Sequence, residues 1–471
     1  MAASMILAAC GGSAAPASSS APAAPASSAP AASSSASAAA SASASSAASA
    51  SAAPAASATG TPVIQIAPVP FTGNESFEIG FSNAGYYPAQ WAINNAGGIM
   101  GHPLQVLRPD DKSDPADALT AFERTLATNP STSFAGGDTT TTGALLPVAT
   151  NAKLPFITAS GNAVYDKNTN PYLYRYAPPD PANGEAIALW CKQKGYTSVA
   201  TVFGNDAGSQ GDLPGVVDGI KAIGAKVAVQ LNVVPDQPNY RTDVERLIAA
   251  KPQAIITESD GPTAATFFSE LSQLGTIVPI IGTSGTPSAD YFSPLSKAIG
   301  AANFQKDFVA VVVGTPQASN PAYKVYADAV QHVGSKLEKP VDQWAANPYT
   351  EGIYDTYVIF ALAMDQAKST KGSVFNSFIP GITAPGAGKT VVHSYPEGVA
   401  ALAKGQSIQY IGAAGSEVLD QHHNWFADQA VEKFDANAVG TVVGVIKRSD
   451  IEALSTTSSP ASGSASASPS A

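Results

Sequence analysis

The chain has 471 residues, and its 36 acidic against 25 basic side chains give a formal net charge of −11. That balance offers no basic footprint for nucleic acid. No apolar run of about 18 residues marks a membrane-spanning helix, and two cysteines build neither a disulfide framework nor a structural zinc site. All charge lies between Glu75 and Glu452, and residues 11–60 hold 24 Ala, 17 Ser and 5 Pro. Such a composition buries too little apolar surface to offset chain entropy. Residues 11–60 therefore read as a disordered linker and 456–471 as a disordered tail, which leaves 61–455 as the folded block.

Within that block, strand-like and helix-like runs alternate. Val63–Val69 reads as a strand. Ala84–Ala96 reads as a helix closed by Gly97-Gly98, where glycine supplies a left-handed cap. Asp114-Pro115 has the chemistry of a helix start, and Leu119, Phe122 and Leu126 then share one face. Strands are expected at 133–135, 156–158, 198–203, 226–233, 254–257 and 278–281, with helices near 142–152, 183–194, 211–223, 240–250 and 263–274. This alternation implies parallel sheets with helices on both faces. About 395 residues is too many for one such sheet around one core, so two lobes are expected. A TIM barrel needs eight even units and fits poorly with a stretch at 284–306 that reads as coil.

In open α/β sheets, ligands sit beyond the carboxyl ends of strands, where helix N-termini present N–H groups. Gly136-Gly137-Asp138-Thr139-Thr140-Thr141-Thr142 is such a turn, and its residues suit a ligand carboxylate and an ordinary helix cap equally. Catalytic motifs are not found. Gly386-Ala387-Gly388-Lys389-Thr390 lacks the first glycine of a phosphate loop, since position 383 is Thr383. It reads as a surface turn. Gly282-Thr283-Ser284-Gly285-Thr286 lacks the last glycine of a nucleophile elbow. Asp420-Gln421-His422-His423 reads as a solvated loop, and Cys191, in an apolar helical run, as a buried inert thiol. Trp91, Asn183 and Trp190 read as cap or core. No cofactor, metal ion or catalytic residue is expected.

Two resemblances add to this. Leu7-Ala8-Ala9-Cys10 followed by Gly11-Gly12-Ser13 resembles the lipobox of bacterial lipoproteins. It implies diacylglycerol on Cys10 and anchoring to the outer side of the cell membrane. Residues 1–9 have no basic n-region and too short an apolar h-region, so 1–10 reads as a truncated lipoprotein signal.

Asn94-Asn95-Ala96-Gly97-Gly98-Ile99-Met100-Gly101 is similar to the end of the first helix in type I periplasmic-binding proteins of the leucine/isoleucine/valine-binding family, the solute receptors of ABC importers. Pro70-Phe71-Thr72-Gly73, Asp110 to Pro115, Gly137 to Ala149, Leu154-Pro155-Phe156-Ile157, Arg175 to Gly184, Tyr354-Asp355 and Tyr410 to Gly415 match further segments in order. The resemblance implies an α/β fold of two Rossmann-like lobes joined by three crossings. Lobe 1 is then about 62–178 and 314–411, and lobe 2 about 179–313 and 412–455. It implies a monomer that binds an amino acid or a related carboxylate or amide between its lobes and delivers it to an ABC permease. A sensor of the same fold, signalling to a membrane partner, is the alternative.

Carried onto this chain, the family's carboxylate-holding hydroxyl falls on Thr139, flanked by Asp138 and Thr140. Its backbone groups fall on Gly161 and Asn162, and its aromatic wall on Ala207-Gly208. The acid that pairs with a ligand ammonium falls on Ser284, which has no charge. A buried ammonium needs an anionic partner. Asp260 in the neighbouring loop is the expected substitute, with Asp138 and Asp180 as further choices, although Asp180 reads first as a loop cap or solvated charge. Tyr354 is expected to line the cleft.

Overall fold

The computed structural model describes residues 58–458 apart from 74–75, 77–78, 207, 276, 288, 315–319, 339–340, 346–347 and 436–439. Cys10, most of the linker and nearly all of the tail lie outside the described residues, and the last helix, Arg448–Ser458, runs past Thr456.

The first sheet comprises β1 (Val63–Ile66), β2 (Leu104–Leu107), β3 (Thr132–Gly137), β4 (Phe156–Thr158) and β5 (Leu173–Arg175). All pair in parallel, in the order β2-β1-β3-β4-β5. The second sheet repeats that order. It comprises β6 (Ser198–Gly204), β7 (Lys226–Val233), β8 (Ala254–Glu258), β9 (Ile280–Gly282) and β10 (Phe308–Val313), paired in parallel as β7-β6-β8-β9-β10. A small parallel pair, β11 (Thr390–Val392) and β12 (Ile408–Tyr410), follows. The chain then returns to add β13 (Gln429–Phe434) and β14 (Gly440–Ile446) antiparallel beside β10. Three segments thus cross between the sheets: β5 into the helix Asp180–Lys194, β10 into the helix Pro321–His332, and β12 into β13.

Local chemistry explains most boundaries. Asp114 caps the helix Pro115–Thr128 by accepting from Ala116 N and Asp117 N at 2.8 and 3.0 Å. Phe122 on its inner face is fully buried, with Ala118 beside it. Gly195, at φ +73°, ends the helix Asp180–Lys194 in the left-handed cap that glycine adopts at little cost. Each sheet has apolar clusters packed on it. Val63, Phe134 and Tyr357 belong to the largest one around the first sheet, and Ile255, Phe267 and Phe308 to one on the second.

The stretch at 284–306, expected as coil, is mostly helical: Ala289–Ile299 and Ala301–Asp307 meet at Gly300, whose φ is +84°. Pro294 and Gly300 break the helical pattern in sequence. The buried positions Tyr291, Phe292, Leu295, Ile299 and Phe304 nevertheless share one face. They build an aromatic core with Phe308 and Phe434, in which Phe304 stacks on Phe308 at 5.0 Å. Phe308→Ala is expected to cost about 3–5 kcal/mol, read as a lower denaturant midpoint in the unfolding transition of the second sheet.

Candidate functional site

In each sheet the strand order reverses between the first and third strands, at β1/β3 and at β6/β8. Loops leaving the carboxyl ends at such a switch point frame a crevice. In the second sheet those loops supply acids: Asp206 and Asp212 follow β6, and Glu258 is the last residue of β8.

Asp180 joins them from the first crossing. Its backbone N–H donates to Gly161 O at 2.9 Å. A Cβ on Gly161, from the first sheet's loop, would overlap the Asp180 carboxylate, and so would one on Gly211 from the second sheet's loop. Two glycines therefore clasp one carboxylate between the sheets. Gly285 likewise leaves room for the Glu258 carboxylate.

A polar wall closes the cluster. Asn183 donates from Nδ2 to Val311 O (2.9 Å) and Gln429 Oε1 (2.7 Å), and its Oδ1 accepts from the Ser284 N–H at 3.1 Å. Ser284 Oγ lies 2.9 Å from the Tyr349 hydroxyl. Thr283 is fully buried, and its hydroxyl faces the Glu258 carboxylate, which Asp212 also meets.

No ion pair among the described residues uses Asp180, Asp212 or Glu258. Burial, only partly offset by Arg175, raises Asp180 to about 6. Burial, helped by Asp180 and Asp206 and opposed by Thr283, raises Glu258 to about 8. Burial and Glu258 hold Asp212 well above the usual carboxylate range. A second acid pair stands at the edge of the first sheet: burial and Asp138 push Asp111 up to about 7.

The expected residues are distributed unevenly. Gly161, Asn162 and Ser284 stand at this seam, Asn162 through its carbonyl, which accepts from Arg175 Nη1 at 3.1 Å. Thr139 is exposed. Asp138 Oδ1 accepts from Thr141 N and Oγ1 at 2.8 and 2.7 Å, so Asp138 orders its own turn, which also carries Thr140. Ala207 lies outside the described residues. Asp260 is exposed and caps the helix Gly261–Gln273 through Thr263 N at 2.8 Å. Tyr354 is packed against Tyr326 in the core of the first lobe, 1% exposed. Asp180, read first as a loop cap or solvated charge, is half-buried in the acid cluster. Asp212, Glu258 and Tyr349 were missed. The available signal was position: Asp212 follows β6, Glu258 ends β8, and those two strands flank the switch point.

Among the described residues no three His, Cys, Asp or Glu side chains converge to hold a metal ion. Cys191 is buried, and burial pushes its thiol up to about 12, so it is inert. His423 stacks on Tyr174 at 4.5 Å and His422 Nδ1 meets Asn168 O at 2.8 Å, so the paired histidines serve packing.

A family model described as periplasmic binding protein matches residues 82–379. The structure of a branched-chain amino acid ABC transporter protein from Thermus thermophilus with bound valine superposes with a TM-score of 0.65 at 14% identity, over 84% of this chain and 99% of that one. An ABC transporter solute-binding protein from R. palustris in complex with benzoate gives 0.60 at 14% identity, over 82% and 97%. A curated relative, glutamate receptor 2.4 of Arabidopsis thaliana, is 24% identical over 134 residues, which span 28% of this chain but only 15% of that receptor.

The raised carboxyls carry a pH signature. Their pKa values are higher folded than unfolded, so the folded state holds more protons and loses stability as pH rises from about 4.5 towards 8. Asp180, Asp206 and Asp212 and the phenols of Tyr291 and Tyr349 face Glu258. Glu258→Gln is expected to stabilise the unliganded protein at about pH 8.5 by on the order of a few kcal/mol, read as a higher thermal midpoint. At about pH 5 it should leave the midpoint unchanged. Melting curves across that range check it.

Proposed function

We propose that this chain, which belongs to the periplasmic binding protein family, is the extracytoplasmic solute receptor of an ABC importer, tethered to the membrane by lipid on Cys10. Its lobes, about 62–178 with 314–411 and about 179–313 with 412–455, close on an amino acid or a related small carboxylate or amide. The observation that carries this reading is the clasp on Asp180. Gly161 from one sheet and Gly211 from the other meet the same carboxylate, so a group held there touches both lobes at once. The valine-bound and benzoate-bound relatives support it, and they are a reminder that this fold takes ligands with and without an ammonium.

In the reading proposed here, ligand binding is hinge closure. A ligand that contacts both lobes favours the closed state by its differential affinity, and the permease reads the closed surface. Asn183 and Ser284 line the second lobe's side, the Asn183 amide fixing the Ser284 N–H and the Ser284 hydroxyl meeting Tyr349. Small-angle scattering of the full chain with and without saturating ligand tests the mechanism. A smaller radius of gyration with ligand is the expected outcome, and an unchanged one with every ligand that binds would sink it.

A further inference from the structure

A side-chain hydrogen bond joins the two sheets away from the three crossings. Ser284 follows β9 in the second sheet. Tyr349 lies in the first turn of the helix Pro348–Ala367, which shares the apolar cluster of the first sheet through Tyr357 and Val358. The two hydroxyl oxygens are 2.9 Å apart. Burial, with Asp212, Asp180 and Glu258 near by and the Ser284 hydroxyl opposing, holds the Tyr349 phenol above its ordinary range. It therefore stays a neutral hydroxyl around neutral pH.

Both ends of this bond are anchored. On the second sheet's side, Asn183 Oδ1 accepts from the Ser284 N–H. The N–H and the hydroxyl of Thr286 both donate to Thr283 O, at 3.2 and 2.8 Å, which closes the turn around Ser284. On the first sheet's side, the residue after Tyr349 is tied down. Thr350 donates its hydroxyl to Trp344 O at 2.7 Å and accepts from the Tyr326 hydroxyl at 2.6 Å, and Thr350 and Tyr326 are both fully buried. Each anchor belongs to a different sheet, so rotation about the crossings parts the two hydroxyls. A contact made only in the closed arrangement favours that arrangement with or without ligand. A ligand that fits beneath it then binds a receptor already biased towards closure.

We propose that Tyr349 and Ser284 form a latch across the cleft, so that the empty receptor already spends part of its time closed. The proposal rests on the receptor reading and adds a closing contact that the protein supplies itself. One neutral hydrogen bond shifts such an equilibrium by roughly two- to tenfold. That changes the resting populations without locking the cleft against ligand.

Distances between two spin labels test this in the full chain with no ligand added. The labels go on Thr139→Cys and Asn205→Cys, exposed positions on the loops that leave β3 and β6, in a Cys10→Ser background. Closure shortens their separation. With the latch intact, a short-distance population is expected beside a longer one. Tyr349→Phe and Ser284→Ala should each lower the ratio of short to long by roughly two- to tenfold. The double variant should lower it no further than either single change, because both remove the same contact. Identical distance distributions with and without Tyr349→Phe would overturn the proposal. A double variant whose loss is the product of the two single losses would overturn it too, since the hydroxyls would then act independently. The scattering experiment keeps the two readings apart. Compaction by ligand, with no difference among the empty variants, keeps the receptor and discards the latch. Opening of the variants, with no compaction by any ligand that binds, does the reverse.

Discussion

The Arg175 guanidinium is the interaction on which the junction between the sheets depends. It is 1% exposed, at the end of β5 where the first crossing begins. It pairs with Asp166 and bonds the Asn162 carbonyl and the Asn424 side chain. The backbone adds to this: Arg175 N–H donates to His423 O and its carbonyl accepts from Trp425 N–H, at 3.1 and 3.2 Å. One residue therefore holds the first crossing, the third crossing and the loop of Gly161 in fixed relation. Removing a partner from a buried pair leaves an uncompensated charge, which is far costlier than the pair itself is stabilising. Segments bonded side by side in this way can twist together but not part, which is the mechanical requirement of a hinge.

The acid cluster depends on that junction. Asp180 follows Arg175 by a few residues and is set between two glycines because the crossing is set. Its neighbours Asp212 and Glu258 come from loops that the strand order brings to the same edge. Desolvation, not any single neighbour, is the leading cause of all three raised pKa values. The site thus combines a rigid frame with acids that burial holds above the usual carboxylate range.

Much of the fold was legible because strand and helix alternation follows from local apolar periodicity. Phe156–Thr158 and Lys226–Val233 have the expected limits. The helices across 289–307 were hidden by Pro294 and Gly300, and only tertiary packing of their aromatic face overrides those breakers. The antiparallel β13 and β14 carry charged Glu432 and Lys433 among their apolar positions and gave no clear pattern. At the site, Gly161 and Ser284 were reachable through resemblance. Glu258 was not, because a carboxylate at a strand end normally faces water. Its burial comes from loops far away in sequence. Asp260 looked the better candidate, yet its cap bond to Thr263 is the ordinary local use of such a residue.

The late return of the chain to the second sheet has a consequence for how the molecule is made. Until residues 429–446 emerge, β10 has one side bare, and its run Phe308–Val313 is wholly apolar and buried in the finished protein. A bare, apolar strand edge is a template for pairing with other chains. The vulnerable species in synthesis is therefore a chain that has already made β1 to β12, and the antiparallel pair β13 and β14 acts as the closure that hides that edge.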